Sequence, residues 1–263
     1  MISPCERHPL AKKDPGWGDR HRETKAFAIL ATCRRIIGGD FSETRWLDIG
    51  CGCGEIAASI APHVGHITGI DPSPWQRWPA LKARHPNLDF IQGDYQAAVK
   101  IPAPDVVVCN QVYEHVEEPL KLIRLIRQIL KPGGHVYFAG PNLLFPIEPH
   151  VFWPFVHWLP SRPALFLMRM FRARYVMSTH SVTIWQLRRW FQGFEVTNAL
   201  PLVLRHPEDY GRKGLIWQRL AALPPEVVDG LTAFAPGFIF ILRKTEPPLS
   251  GRGETTPHRG TSP

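Results

Sequence analysis

Apolar and polar positions in residues 45–139 change repeatedly between two patterns. Short apolar runs, which are typical of buried strands, predict five strands. These runs cover 45–49, 66–70, 88–92, 106–109 and 135–139. Between them, apolar residues recur at helical spacing, most clearly from Pro119 to Leu130, where Pro132 and two glycines end the pattern. Strands that alternate with helices predict an α/β fold in which helices cover both faces of a parallel sheet.

The flanking segments set the predicted limits of the domain. Residues 1–20 mix proline, glycine and charge without a period and predict a flexible N-terminal tail. Residues 21–37 have the apolar spacing of an amphipathic helix. Residues 245–263 have the composition of a disordered C-terminal tail, so we expect the folded domain to span 21–244.

The pattern changes after the fifth strand. Residues from about 143 to 185 combine bulky aromatic side chains with many prolines and predict an insertion, with a helix at 163–175. A further helix is predicted after Ser181, and a strand begins at Gly193. The proline-rich residues 201–237 predict irregular structure, and 238–242 predict a last buried strand.

The stretch Trp46–Gly54 predicts a ligand-binding turn. It is an apolar run followed by glycines at positions 50, 52 and 54, and a helical pattern begins directly after it. Glycines allow unusual dihedral angles and let a ligand approach the backbone closely, and a helix N-terminus favours an anionic group. The sixth position of the motif is Glu55, where a dinucleotide-binding sequence has Gly or Ala.

Polar residues also follow the other predicted strands. Asp71 ends the second strand, Asp94 follows the third, and Asn110 ends the fourth. Ligands of open parallel sheets bind at the carboxyl ends of the strands, near the point where the strand order reverses. These residues therefore predict a binding cleft at one edge of the sheet.

This ordered series resembles the class I S-adenosylmethionine-dependent methyltransferases, and among them the small-molecule type that includes quinone-biosynthesis enzymes. The short motifs Ile147–His150 and Trp158–Pro160 resemble those of a bacterial subgroup of these enzymes. The resemblance implies a Rossmann-like fold with a mostly parallel seven-stranded sheet and a helical, aromatic insertion after strand 5. It also implies that 238–242 is an antiparallel strand near the sheet edge.

The same resemblance implies S-adenosylmethionine as the cofactor, and we expect no binding of NAD. The turn of Gly50, Gly52 and Gly54 would hold the methionine part of the cofactor. Asp71 would hold the ribose, Asp94 would accept from the adenine amine, and Asn110 would lie beside the sulfur. Further cofactor-binding positions implied by the resemblance are Asp48, Cys51, Pro72, Tyr95 and Gln111.

Two histidines are candidates for proton transfer. The cofactor is already activated, so a base is needed only if the acceptor must lose a proton. His115 follows the end of strand 4 and has an ordinary pKa near neutrality, although it could instead be a structural residue. His150 is the second candidate, with anchoring of a loop as its alternative. The spacing of the cysteines and histidines does not predict a metal site.

Charge and composition bear on the partners and the location. The 263 residues carry a formal net charge of +8, and residues 161–190 contain six arginines and no acid. Such a segment can be a solvated face, a partner surface, a site for an anionic substrate or a contact with an anionic membrane. Five scattered cysteines and no signal peptide predict a cytoplasmic protein, with peripheral contact at the inner face of the membrane as an extension.

The sequence thus favours methyl transfer to a small-molecule or lipid-like acceptor, on oxygen, with carbon and nitrogen left open. One alternative is a nucleic-acid methyltransferase. Against it, no RNA-binding module is recognisable, and Asn110–Tyr113 differs from the Asn/Asp-Pro-Pro-aromatic word of amino-methylating enzymes. The other alternative is a non-catalytic binding protein that keeps the fold, because fold alone does not establish activity.

Overall fold

A computed structural model describes residues 15–147, 154–155, 158–159, 161–170, 181–212 and 214–245. The strands are β1 (Arg45–Ile49), β2 (His66–Asp71), β3 (Leu88–Gln92), β4 (Val106–Asn110), β5 (His135–Pro141), β6 (Phe194–Asn198) and β7 (Gly237–Lys244). They form one seven-stranded sheet in the order β3-β2-β1-β4-β5-β7-β6. β1 to β5 pair in parallel, and β7 lies antiparallel between β5 and β6. The predicted mostly parallel, seven-stranded fold is confirmed.

The helices pack on both faces of this sheet. They are α1 (Pro15–Ile36), α2 (Glu55–Ile60), α3 (Trp78–Arg84), α4 (Pro119–Ile129), α5 (Ser161–Met170), α6 (Ile184–Trp190), α7 (Leu200–Arg205), α8 (Leu215–Ala221) and α9 (Pro225–Thr232). Because successive strand residues point to opposite faces, β4 contributes Val107 to the core under α4 and α6, and Val106 and Val108 to the core under α1 and α2.

The strand order places a crevice above β1 and β4. The chain adds β2 and β3 on one side of β1 and then returns to place β4 on its other side. The loops that leave β1 and β4 therefore diverge at the carboxyl edge of the sheet. Ile49 pairs with Cys109 in the last register position, so Gly50 and Asn110 follow at the same level. This is the position at which open α/β sheets bind ligands.

The predicted end of the N-terminal tail needs correction. Helix α1 begins at Pro15, so residues 15–20 belong to a helix and not to the predicted tail of 1–20. Gly16 and Gly18 interrupt the apolar pattern there, whereas proline is well suited to the first turn of a helix. Residues 1–14 and 246–263, which include the rest of both predicted tails, lie outside the described residues.

The prediction of irregular structure at 201–237 was wrong. This segment contains α7, a short 3₁₀ helix at Pro207–Tyr210, α8 and α9. Three of its prolines, Pro201, Pro207 and Pro225, stand in first turns, where a missing N–H costs nothing and the fixed φ favours the helix. The prolines therefore begin these helices and do not break them.

The insertion is described in part. Asn142 bridges to Val182, so the insertion leaves the sheet after β5 and returns beside the same strand end. Its helix α5 begins at Ser161, two residues before the predicted start, and the described part ends at Met170. The predicted helix after Ser181 is α6, where Thr183 and Gln186 form a reciprocal capping box.

Candidate active site

The glycine-rich turn after β1 has the backbone that its sequence predicts. Gly50, Gly52 and Gly54 have φ values of +71°, +54° and +88°, in the left-handed region that favours glycine. A Cβ atom on Gly50 would lie 2.8 Å from Val112 Cγ2, and one on Gly54 would lie 2.5 Å from Phe90 Cζ. Gly52 has more room, because the nearest atom to its Cβ position is Arg22 Nη1 at 3.7 Å. The turn thus leaves open space beside Gly52, whereas a side chain at Gly50 or Gly54 would collide with its neighbours.

Asp71 is fixed against this turn. Its Oδ2 accepts a hydrogen bond from the Gly52 N–H at 3.0 Å. Its Oδ1 accepts from the Ser73 N–H at 2.9 Å and from the Trp75 indole N–H at 3.1 Å. Two carboxylate oxygens offer about four acceptor positions, so these three bonds orient the group and leave acceptor capacity. Pro72 follows at the exposed start of the next loop.

Asp48 is a buried carboxyl group below the turn. It lies on the face of β1 that α1 covers, and its Oδ2 has no hydrogen-bond partner among the described residues. Burial raises the pKa of Asp48 to about 7; the charge of Arg22 opposes this shift and that of Asp71 adds to it. A buried acceptor without a partner is costly, which is a reason to expect a ligand donor there.

The pKa of Asp48 predicts how stability changes with pH. Its ordinary value of about 3.9 applies to the unfolded chain, so between about pH 4 and 7 the folded state binds more protons. The contribution to the free energy of unfolding is fully present below about pH 4 and falls as pH rises to about 7. We expect urea denaturation to show that the free energy of unfolding falls more between pH 5 and pH 8 in the native protein than in Asp48→Asn. Equal falls in both proteins would contradict this assignment.

The end of β4 has an unusual backbone. Gln111 has a φ of +58°, which is uncommon for a residue other than glycine. Its N–H donates to the carbonyl of Ala139 at 2.8 Å, so the strand end is held against β5. Asn110 lies on the same face of the sheet as Asp48, and its buried Oδ1 has no hydrogen-bond partner among the described residues. Strained backbone and unpaired polar atoms are frequent at functional sites.

Asp94 and Tyr95 extend the same edge towards β3. The Gly93 N–H donates to the Asp71 carbonyl at 2.9 Å, which brings the loop after β3 beside the end of β2. Asp94 is exposed and caps the 3₁₀ helix Tyr95–Lys100, where its Oδ1 accepts from the Gln96 N–H at 3.0 Å. The structure therefore brings Asp94 and the partly buried Tyr95 close to Asp71.

Of the two candidate bases, the structure describes His115 but not His150. His115 lies in the 3₁₀ turn Tyr113–His115 after β4, with about half of its side chain exposed. Its Nε2 is 4.0 Å from Oε1 of the fully buried Glu114. Tyr113 donates its hydroxyl to the carbonyl of Pro141, which ties this turn to the end of β5. His150 lies outside the described residues.

Three residues that the sequence did not single out also meet the turn. Arg22, from α1, has its Nη1 3.7 Å from Oε2 of Glu55, the first residue of α2. Trp78 donates its indole N–H to the Gly52 carbonyl at 3.0 Å and stacks on Phe90 with ring centroids 4.9 Å apart. Trp75 binds Asp71 as described above. Trp75 and Trp78 follow Asp71 closely in the sequence, so their contacts with the turn could have been predicted. No local sequence feature connects Arg22 to the turn.

The edge therefore combines exposed backbone, a cation and fixed carboxylates. This set fits a cofactor with an amino-acid end and a nucleoside end better than it fits a dinucleotide, because Glu55 places negative charge where a pyrophosphate would lie. Among the described residues, no three His, Cys, Asp or Glu side chains are grouped as metal ligands.

Comparison with known proteins agrees with this geometry. Residues 19–198 match the family model described as "Methyltransferase domain". The chain belongs to this methyltransferase family. The match includes every described candidate residue, from Arg22 and the glycine-rich turn to His115, and it extends through β6.

Individual relatives refine the comparison. The ubiquinone biosynthesis O-methyltransferase of Serratia proteamaculans is 36% identical over 151 residues, which cover 52% of this chain and 62% of that protein. The protein of the same name from Vibrio campbellii is 39% identical over 152 residues, which cover 54% of this chain and 64% of that protein. This methyltransferase-family chain thus spans less than two thirds of the length of either relative.

A solved structure supports the fold. The plantazolicin methyltransferase BpumL, in complex with a monoazolic desmethylPZN analog and SAH, superimposes with a TM-score of 0.55 and 15% sequence identity. The superposition covers 92% of this chain and 91% of that chain. Together with the sheet order, it shows the Rossmann-like fold of class I methyltransferases.

The cysteines of the turn are buried. Cys51 is a free thiol packed against Gly69, and burial raises its pKa above the ordinary range. Cys53 takes part in a disulfide, a pairing that the sequence did not predict. In the tight space of this turn, small side chains at both positions allow the backbone to pack against β2.

Proposed function

We propose that this chain transfers the methyl group of S-adenosylmethionine to a small-molecule or lipid-like acceptor, on oxygen. The observation that carries the proposal is the glycine-rich turn whose Gly52 N–H is bonded to Asp71, at the carboxyl edge of a class I methyltransferase sheet. The names of the Serratia and Vibrio relatives support oxygen as the methylated atom and a quinone-like acceptor.

The residues of the edge divide between the two ends of the cofactor. We assign Arg22, whose Nη1 lies beside the open space at Gly52, to its carboxylate, because a guanidinium binds a carboxylate well. We assign the buried Asp48 Oδ2 and Asn110 Oδ1 to its amino group, since both atoms lack a donor among the described residues. Asp71 then accepts from a ribose hydroxyl with its remaining acceptor position, and Asp94 and Tyr95 lie beside the base.

The cofactor supplies an electrophilic methyl group, so the protein has to hold the acceptor in line and remove its proton. Orientation of the reactants alone can supply several kcal/mol of the rate enhancement. His115 is the group we assign to the proton, because it stands at the end of β4 with half of its surface accessible. Oε1 of the neighbouring buried Glu114 lies 4.0 Å from Nε2 of this ring.

The described part of the insertion supports an apolar acceptor. It departs from the end of β5, at the carboxyl edge of the sheet where we place the cofactor. The Trp158 indole N–H donates a hydrogen bond to the Leu143 carbonyl at 2.6 Å. Several of its apolar side chains are exposed, among them the neighbouring Phe155 and Trp158, and Phe166 on α5 is 66% exposed. Apolar side chains exposed close together commonly mark a binding surface.

Peripheral contact with an anionic membrane, and a cytoplasmic location, are finer parts of the same proposal. Within the part of the chain that the structure describes, no helix has the length and apolar character needed to cross a bilayer. Arg172 and Arg174, which motivated the membrane contact, lie outside the described residues, and the side chain of Arg169 is not described. Co-sedimentation of the protein with phosphatidylglycerol vesicles tests this contact, and protein that stays in the supernatant would argue against it.

Calorimetry with S-adenosylmethionine and NAD tests the cofactor assignment. We expect binding of the first and none of the second, and Asp71→Ala should weaken binding by about 1.5–3 kcal/mol, the scale of hydrogen bonds to a charged group. Asp89→Ala, which removes an exposed acid from β3, is the control and should change affinity little. Binding of NAD alone would overturn the proposed function. An unchanged affinity of Asp71→Ala would remove this residue from the ribose.

A further inference from the structure

A cavity of about 600 Å³ lies between α4, α6 and the strands β6 and β7, away from the candidate active site. We call it the basic groove. Four cations line it, together with the aromatic side chains of Trp190 and Phe194: Arg124, Arg127, Arg189 and Lys244. The cations come from three different elements, α4, α6 and β7, so their convergence is a property of the fold and not of a local charge run.

The basic groove is distinct from the candidate active site. Lys244 N–H donates to the Gly134 carbonyl at 2.8 Å, directly before β5, which places this end of the groove at the amino edge of the parallel strands. The glycine-rich turn lies at the carboxyl edge. The groove is on the sheet face covered by α4 and α6, whereas Arg22 and Asp48 belong to the face covered by α1. The two sites share no lining residue.

Among the described residues, no acid that lines the groove neutralises its positive charge. No Asp or Glu is among its described lining residues. Arg127 Nε donates to the Gly193 carbonyl at 3.3 Å and Lys244 Nζ to the Leu130 carbonyl at 2.5 Å, so both bind neutral oxygens. The acid on the adjoining strand, Glu195, is paired with Arg243 at 3.4 Å. Like charges gathered in this way repel one another unless an anion is bound between them.

The position of Arg127 depends on a glycine. Gly193 follows α6 with a φ of +81°, and a Cβ at this residue would overlap the guanidinium of Arg127. The turn therefore both adopts a conformation that favours glycine and leaves the space that Arg127 occupies. Arg124 and Arg189 are exposed and form no ion pair with the described residues, so their guanidinium groups are available to a ligand.

We propose that the basic groove binds the phosphate group of an organic phosphate, either a soluble molecule or the head group of a lipid. Guanidinium groups bind phosphate oxygens in a bidentate manner, and two such groups with a lysine can bind several oxygens of one phosphate group. Trp190 and Phe194 provide an apolar wall for the organic part of the ligand. The inference does not depend on the proposed methyl transfer.

The test compares two double variants of the full-length protein. Arg124→Gln with Arg189→Gln removes two charges from the groove. Arg188→Gln with Arg205→Gln removes two exposed charges that do not line it, one of them next to Arg189 on the same helix. The probes are inorganic pyrophosphate in calorimetry at low ionic strength and phosphatidylglycerol vesicles in co-sedimentation. Melting temperatures and the two single groove variants show whether each protein is folded.

We expect the native protein to bind at least one probe, and the groove pair to weaken this binding about tenfold or more, since charge-assisted hydrogen bonds are lost. The control pair should change it less than about twofold. Weakening of pyrophosphate binding identifies a soluble phosphate as the source of the ligand, and weakening of vesicle binding alone identifies a lipid head group. The proposal is overturned if neither probe binds, or if the control pair weakens binding as much as the groove pair.

Discussion

Gly54→Ala is expected to lower the free energy of unfolding by about 2–5 kcal/mol. Gly54 has a φ of +88°, and a left-handed backbone costs a residue with a Cβ about 1–2 kcal/mol. In addition, the Cβ would lie 2.5 Å from Phe90 Cζ and 3.2 Å from Leu81 Cδ1, and such overpacking costs about 1–3 kcal/mol. Urea denaturation measures the total. Because Phe90 also stacks on Trp78, which binds the Gly52 carbonyl, cofactor affinity should fall as well.

Gly133→Ala is the matched control for this change. Gly133 has a φ of +70° but no atom within 4 Å of its Cβ position, so the alanine should cost only the backbone term of about 1–2 kcal/mol. The difference between the two variants isolates the collision with Phe90. If the free energy of unfolding falls equally in both variants, the predicted collision of the Gly54→Ala side chain with Phe90 does not occur.

The strands and the turn could be predicted because their signals are local. The observed bounds of β1 and β3 are the predicted ones, since each apolar run is flanked by polar or turn residues. The glycine positions of the turn follow from backbone conformations that other residues rarely adopt. The helices of 201–237 were missed for a physical reason: proline breaks a helix interior but favours a first turn, and the sequence alone did not distinguish the two.

The candidate site was predictable in position and less so in contacts. The residues that follow strands, such as Asp71 and Asn110, fall on the expected edge because parallel strands bring their carboxyl ends together. The bond from Gly52 to Asp71 joins the turn after β1 to the end of β2 and needs the register of these two strands. Arg22 could not be assigned from sequence, because only the packing of α1 against α2 brings it to the turn.

The two proposed sites could also not be separated from sequence. The excess of arginine at 161–190 was interpreted as one basic segment. In the structure, Arg189 points into a groove with Arg124 and Lys244, which lie far from it in sequence, whereas Arg188 on the same helix does not line that groove. The arginine content of one segment therefore did not predict which cations lie together in the folded protein, because successive residues of a helix face different neighbours.

His115→Asn is expected to lower kcat by about 10²- to 10⁴-fold, the usual contribution of a general base. The change leaves the short turn after β4 intact, because the Tyr113 hydroxyl bond to Pro141 and the backbone bonds of the turn do not involve the imidazole. Affinity for S-adenosylmethionine should stay within about twofold, since the assigned cofactor contacts come from other residues. Steady-state kinetics with the unmethylated acceptor, together with calorimetry of cofactor binding, separate these two effects.

His135→Asn provides the comparison for His115. His135 is the first residue of β5, at the amino edge of the sheet, and burial together with the charge of Arg243 lowers its pKa. Its replacement should leave kcat nearly unchanged, because no candidate site residue lies at that end of the strand. A loss of less than about threefold for His115→Asn would assign His115 to the structure of the turn. The acceptor would then lose its proton to another group, and positioning would account for most of the rate.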